Sequence, residues 1–304
     1  MSGRVLVVGD VMTDVIVIPD GPIIKGSDRR ASVRSRPGGS GANQAVWLGA
    51  MDADVWFAAR VGAADRSMYE NYFRGRGVMP MLAGDSEQPS GVLVTLVDPD
   101  GERSFLTDRG ANLNLCAADL NESLLDGVSL VMVSGYSLFA PGPRAAVLGL
   151  LARAKARGVA IAIDPASTGF LTDIGPRQFL DWTAGADWIF ANAEEAELLT
   201  GAAGLEDQVR ALGTCFANVI VKRGRLGAVL GGSDGIRLDL PAPSVIMRDS
   251  TGAGDAFAAG FIAAFLDGQD EAAAMKAGIA AGARAVQVIG GQPQEDGGPT
   301  APAG

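Results

Sequence analysis

Apolar runs and polar gaps alternate along this chain with the spacing of buried strands and helices. Arg4 to Gly9 is a continuous Val/Leu run ending in Gly9-Asp10 and reads as a buried strand. Thr13–Ile18 reads as a second strand, and the polar, basic stretch up to Pro37 as an exposed strand after Arg30. Ser40 to Met51 predicts a helix opened by glycines, and Asp54–Gly62 the next core strand. Gly91–Val97 and Glu102–Thr107 read as extended runs joined by a tight turn at Asp98–Gly101. A strand–helix rhythm follows: strands at Leu130–Gly135, Val159–Asp164, Asp187–Asn192 and Asn218–Gly224, with helices at Pro143–Arg157 and Glu194–Thr200. Gly227–Leu240 reads as a hairpin, and helices near Ala253–Asp267 and Glu271–Val288 close the pattern.

Regular βα alternation implies an α/β fold with a doubly wound, mainly parallel sheet between helices. The strands within 13–36 and 91–107 break that rhythm and read as a small β-sheet lid. The expected organisation is one domain over residues 1–292, followed by a flexible Gly/Pro-rich tail at 293–304.

Composition narrows the chemistry. The chain has 304 residues, 48% of them hydrophobic, with a formal net charge of −10. That balance argues against a nucleic-acid or anionic-membrane partner. No apolar segment reaches membrane-spanning length and the N-terminus has no signal-peptide pattern, so a cytoplasmic protein is expected. Two distant cysteines, Cys116 and Cys215, make neither a disulfide framework nor a zinc cluster. There is no histidine at all, which removes histidine triads and histidine metal sites. A general base must come from another group, such as a carboxylate or lysine.

Asp249 to Phe261, DSTGAGDAFAAGF, is the densest candidate. A helix N-terminus offers unpaired N–H groups and a partial positive charge, and glycines let an anion approach them. Asp255 at that opening could take a proton from a hydroxyl. An acid in a helix's first turn is also a common stabilising choice, and locally both readings stand. Phe257, Phe261 and Phe265 follow at one-face spacing.

This stretch resembles the second signature of the ribokinase family, the phosphofructokinase-B type carbohydrate kinases. Arg36–Gly49, RPGGSGANQAVWLG, resembles the first signature, Asn192–Glu195 fits the family's Asn-x-x-Glu motif, and Val221–Ala228 resembles its nucleotide loop. The resemblance spans nearly the whole chain and implies a ribokinase-like fold. It implies Asp255 as catalytic base, with Gly252, Ala253 and Gly254 as the anion hole. Asp14, Gly38, Gly39 and Asn43 would bind the acceptor, with Asp10 competing with Asp14. Asn192, Lys222, Gly224 and Gly227 would meet the nucleotide, and Glu195 would position hydrated Mg²⁺. Asn192 and Glu195 fit a helix capping box equally well. Asp249 and Thr251 resemble a monovalent-cation (K⁺) site. Met12 stands where ribose kinases often carry asparagine, which argues against ribose itself. Phe105 and Arg103 fall on the lid, and Asp164-Pro165 reads as structural.

The resemblance therefore implies an ATP-dependent kinase acting on a pentose, hexose or keto-sugar acid. A nucleoside kinase of the same fold is the alternative, and a non-catalytic sugar- or nucleotide-binding regulator the more distant one. The exposed lid edge invites a homodimer.

Overall fold

The computed structural model describes residues 3–97 and 103–294. In chain order, β1 (Arg4–Val8) is followed by two lid strands, β2 (Met12–Pro19) and β3 (Ala31–Gly38), and by α1 (Ser40–Gly49). Next come β4 (Val55–Gly62), α2 (Arg66–Arg74), β5 (Val78–Asp85) and the lid strands β6 (Gly91–Val97) and β7 (Arg103–Asp108). The regular half comprises β8 (Val128–Ser134), α3 (Pro141–Ala156), β9 (Ala160–Asp164), α4 (Thr168–Ile174), α5 (Pro176–Thr183), β10 (Trp188–Asn192) and α6 (Ala193–Thr200). It ends with α7 (Leu205–Leu212), β11 (Asn218–Lys222), β12 (Ala228–Gly232), β13 (Gly235–Leu240), α8 (Ala253–Leu266) and α9 (Glu271–Ala285).

The large sheet has the order β13-β12-β11-β10-β9-β8-β1-β4-β5. From β11 to β5 neighbouring strands are parallel, whereas β12 and β13 are antiparallel. Parallel strands with both faces covered bury every side chain, which is why Val5 to Val8 form an unbroken apolar run with no exposed area. Two apolar clusters flank the sheet, one built around Phe57, Trp47 and α8, the other around Leu150, Phe179 and Phe216. The predicted phenylalanine face of α8 packs on β10, where Phe261 lies 5.0 Å from Trp188 and 5.5 Å from Phe190 between ring centroids.

The lid is a separate sheet of order β3-β2-β6-β7. Its register sets Asp14 opposite both Arg36 and Leu93, and Leu93 opposite Thr107. These residues therefore share one face, and Val15, Val94 and Leu106 share the other.

Between residues 63 and 90 the hydrophobic pattern predicts no element, yet α2 and β5 form there. In α2 only Tyr69 and Phe73 are buried, too sparse a stripe to stand out in sequence. Pro80 interrupts β5, and an edge strand tolerates proline because one of its sides needs no partner. The short helices α4, α5 and α7 escape the pattern because each offers two turns or so of periodicity. The predicted turn at Asp98–Gly101 lies outside the described residues, as does the tail from residue 295.

Candidate active site

Parallel strands end on the same edge of a sheet, and ligands of such sheets gather outside those carboxyl ends. Here that edge carries Asp10 just beyond β1, Tyr136 beyond β8, Asp164 at the end of β9, Asn192 at the end of β10 and Lys222 at the end of β11. All five line one cleft of about 920 Å³, roofed by Asp14, Leu93 and Thr107 of the lid and floored by the start of α8.

Asp255 is in the first turn of α8 and faces this cleft. Three side chains of α1 hold its carboxylate. Ser40 Oγ donates to Oδ1 at 2.7 Å, Gln44 Nε2 to the same oxygen at 3.1 Å, and Asn43 Nδ2 to Oδ2 at 3.1 Å. Positions 40, 43 and 44 share one helix face, so α1 presents a polar stripe to the acid. Burial raises the pKa of Asp255 to about 7 and the Asp164 charge adds to the rise, against the pull of Ser40, Asn43 and Lys222. A carboxylate poised near neutrality is suited to taking a proton.

Beside Asp255 the helix begins at Gly252, whose φ of 73° is left-handed. A Cβ there would lie 2.4 Å from Gly291 Cα, so only glycine fits. The N–H of Ala253 closes a turn on Ser250 O at 3.3 Å, while those of Gly254 and Asp255 meet no backbone acceptor among the described residues. This helix start therefore presents two N–H groups without a backbone partner.

On the lid side Asp14 is buried and its Oδ1 has no hydrogen-bond partner. Burial lifts its pKa to about 7, opposed by Arg36 and reinforced by Asp10. Asp10 is engaged instead, accepting from Gly41 N at 3.1 Å and Ser134 Oγ at 3.4 Å. Both bonds fall on Asp10 Oδ1, and both acids line the cleft. Gly38 does not line the cleft; a Cβ there would sit 2.1 Å from Asp14 Oδ2, so this glycine makes room for the carboxylate. Gly39 does line it, while Asn43 both faces the cleft and holds Asp255. Met12 also lines the cleft, buried against Asn112.

Toward the other end, Asn192 and Glu195 form a capping box. Asn192 Oδ1 accepts from Glu195 N, and Glu195 Oε2 from Asn192 N, both at 2.8 Å. Both residues also line the cleft. Burial and the neighbouring Asp164 raise the Glu195 pKa to about 7. Lys222 Nζ donates to Asp164 Oδ2 at 2.9 Å. Burial opposes its charge, but Asp164, Glu195 and Asp255 together keep its pKa above the usual lysine value. Asp164, read from sequence as structural, is thus the counter-ion of a cleft lysine. Gly224, Gly227 and Thr251 line the same end. Asp249 lies behind the loop, accepting from Thr251 N and Gly290 N at 2.9 Å each. Among the described residues no group of three or more His, Cys, Asp or Glu is arranged to hold a metal ion.

Phe105 shares the Thr107 face of the lid but lies farther out, 57% exposed and clear of the cleft wall. Sequence reasoning gave no role to Arg109, Tyr136 or Phe170, which do form that wall. Tyr136 and Phe170 meet edge to face, 5.7 Å between centroids. Their only local signal is position just after a strand. Ser40 and Gln44 carried a stronger one, as polar residues on the Asn43 face of an otherwise buried helix.

The comparisons with known proteins agree with this geometry. The profile of the pfkB family carbohydrate kinases matches residues 2–296. An ATP-dependent ribose-1-phosphate kinase of Halopiger xanaduensis is 31% identical over 296 residues, covering 92% of this chain and 90% of that protein. The bifunctional protein HldE of Pseudomonas fluorescens is 29% identical over 88% of this chain, which spans 56% of HldE. A ribokinase from Thermotoga maritima superposes with a TM-score of 0.81, covering 96% of this chain and 95% of its own, at 24% identity. No helix of the described residues is long and apolar enough to cross a membrane. With a ribokinase-like α/β fold and a family match over nearly the full length, the chain belongs to the pfkB family of carbohydrate kinases, phosphotransferases that use an alcohol as acceptor.

Proposed function

We propose that the protein transfers the γ-phosphoryl group of ATP to a sugar hydroxyl, with Asp255 as the general base. One observation carries this reading: a carboxylate fixed by three donors beside the open amides of α8. The hydroxyl proton passes to Asp255 as the new O–P bond forms. The developing negative charge falls on the Gly252–Gly254 turn, where the helix dipole and free N–H groups favour it. Lys222, held by Asp164, stands beside Gly254, within reach of a transferring phosphate. Asp14 accepts from acceptor hydroxyls at the roof of the cleft, with Gly39 and Asn43 lining it too. Asn192, Gly224 and Gly227 are assigned to the nucleotide end of the cleft.

Mg²⁺ fits this donor set as a hydrated ion. Glu195 and Asp164 are the carboxylates at the Lys222 end of the cleft, and Mg²⁺ is commonly held by one or two carboxylates, waters and substrate phosphates. When bound it would neutralise charge on the phosphates. A monovalent cation such as K⁺ is proposed beside Asp249 and Thr251, and a potassium titration of the rate tests it. The resulting enzyme is read as one kinase unit over residues 1–292, working in the cytoplasm and pairing through its lids as a homodimer. The Tyr136–Phe170 pair favours a second reading, a nucleoside acceptor whose base stacks on the aromatic wall.

The test is Asp255→Asn. Phosphoryl transfer should fall by about 10²–10⁴, the usual contribution of a general base, while ATP binding measured by calorimetry persists. Near-normal turnover in this variant would eliminate Asp255 as the base.

A further inference from the structure

Arg109 follows β7 at the root of the lid and lines the cleft at its acceptor end. Its backbone is anchored. Buried Asn112 donates to Arg109 O and Val11 O, both at 2.9 Å, and accepts from Val11 N at 2.9 Å. One amide side chain therefore ties Arg109 to the short segment between Asp10 and Asp14. The side chain is fixed at one nitrogen: Nη1 donates to Tyr136 O at 2.9 Å, and the guanidinium lies 5.4 Å from the Tyr136 ring centroid.

The cleft wall is rich in acids, yet Arg109 forms no ion pair among the described residues. Three part-buried cations elsewhere in the fold do. Arg60 bridges Asp85 and Asp119, Lys222 holds Asp164, and Arg223 holds Asp239. The Asn112 anchor and the Tyr136 carbonyl keep Arg109 away from the carboxylates, with Nε and Nη2 left over. A guanidinium offers donors only, in a fork that matches a carboxylate or phosphate. Neutral hydroxyls find an acceptor in Asp14, which roofs the same cleft.

We propose that Arg109 is a specificity-determining residue that binds an anionic substituent, a phosphate or a carboxylate, on the sugar acceptor. This rests on the kinase reading above. The anionic group is a spectator: the phosphoryl group still moves from ATP to a hydroxyl, whose proton goes to Asp255.

The experiment measures ADP release by the full chain with ATP and a panel of ribose, ribose 1-phosphate, ribose 5-phosphate, gluconate and adenosine. An anionic member should show the highest kcat/KM, and whether it is a sugar phosphate or the acid identifies the group. Arg109→Ala should raise KM for that acceptor by about ten- to a hundredfold, the range of one charge-assisted hydrogen bond, and leave KM for ATP unchanged. Arg109→Gln keeps a donor for Tyr136 O and should show the same selective loss if Ala destabilises the chain. Arg109→Lys should recover part of it. Preference for a neutral sugar or for adenosine, or an equal KM rise for charged and neutral acceptors, overturns the proposal while leaving the kinase reading intact. Turnover of no acceptor despite ATP binding overturns both.

Discussion

At the scale of single residues, the cleft is governed by carboxylates that resist ionisation. Asp255 and Asp14 are both raised to about 7, chiefly by burial. A base works as its carboxylate, so turnover should rise with pH through about 7 and fall on the acid side, read from kcat at saturating ATP and acceptor. The stability consequence has the opposite sense. A carboxyl whose pKa is higher folded than unfolded favours the folded state when protonated, so stability drops as pH rises from the unfolded value toward about 7. Asp255→Asn removes that penalty, and Asn43 can turn its amide to present the unpartnered Oδ1. The variant should therefore melt higher than the parent at pH 8 and show no such gain near pH 4, measured by thermal scans. A lower melting point at pH 8 would mean that the α1 stripe tolerates only a carboxylate.

At the scale of elements, much of the site was readable because its chemistry sits where a strand stops or a helix starts. Gly-Ala-Gly before Asp255 announced a helix opening, and Asn192 with Glu195 announced a cap. Gly38 was readable as a glycine but not for its reason, since the Asp14 carboxylate it accommodates is brought in by lid pairing. Asp164 and Lys222 lie 58 positions apart and meet only because β9 and β11 flank β10 in a parallel sheet. Sequence spacing holds no trace of that contact. The loop before α8 supplies the prediction at this scale. Gly252→Ala adds a Cβ against Gly291 Cα in a left-handed conformation, so the turn must shift. We expect a loss of about 1–3 kcal/mol in urea unfolding and a fall in kcat larger than any change in KM for ATP. Unaltered stability and kcat would show that the turn yields without cost.

For the whole molecule, the doubly wound sheet was foreseeable from βα rhythm, and the lid from the strands that break it. The edges were less so, because α2 and β5 carry weak patterns. The lid's outward face bears Val15, Val17, Val33, Val94, Leu96 and Leu106, with Val33 60% and Leu106 61% exposed. Contiguous apolar surface of this kind commonly marks an interface. If lids pair as proposed, Leu106→Glu should move the protein from dimer to monomer in sedimentation velocity. A parent chain that already sediments as a monomer would remove the lid dimer.

The segment from Val286 to Gly291 reaches in several directions at once. Val286 O accepts from Arg248 N at 2.7 Å, Gly290 N donates to Asp249, Ile289 O receives Arg36 of the lid at 2.5 Å, and Gly291 O receives Trp47 of α1 at 2.9 Å. In order of synthesis this segment emerges after everything it fastens. A nascent chain can pair β1 with β4 early and dock α8 on α1 through Asp255, and these six residues then add the last fastening of lid, α8 loop and α1. That fastening should therefore form late in translation, so that products truncated before Val286 would lose the Arg36, Asp249 and Trp47 contacts together.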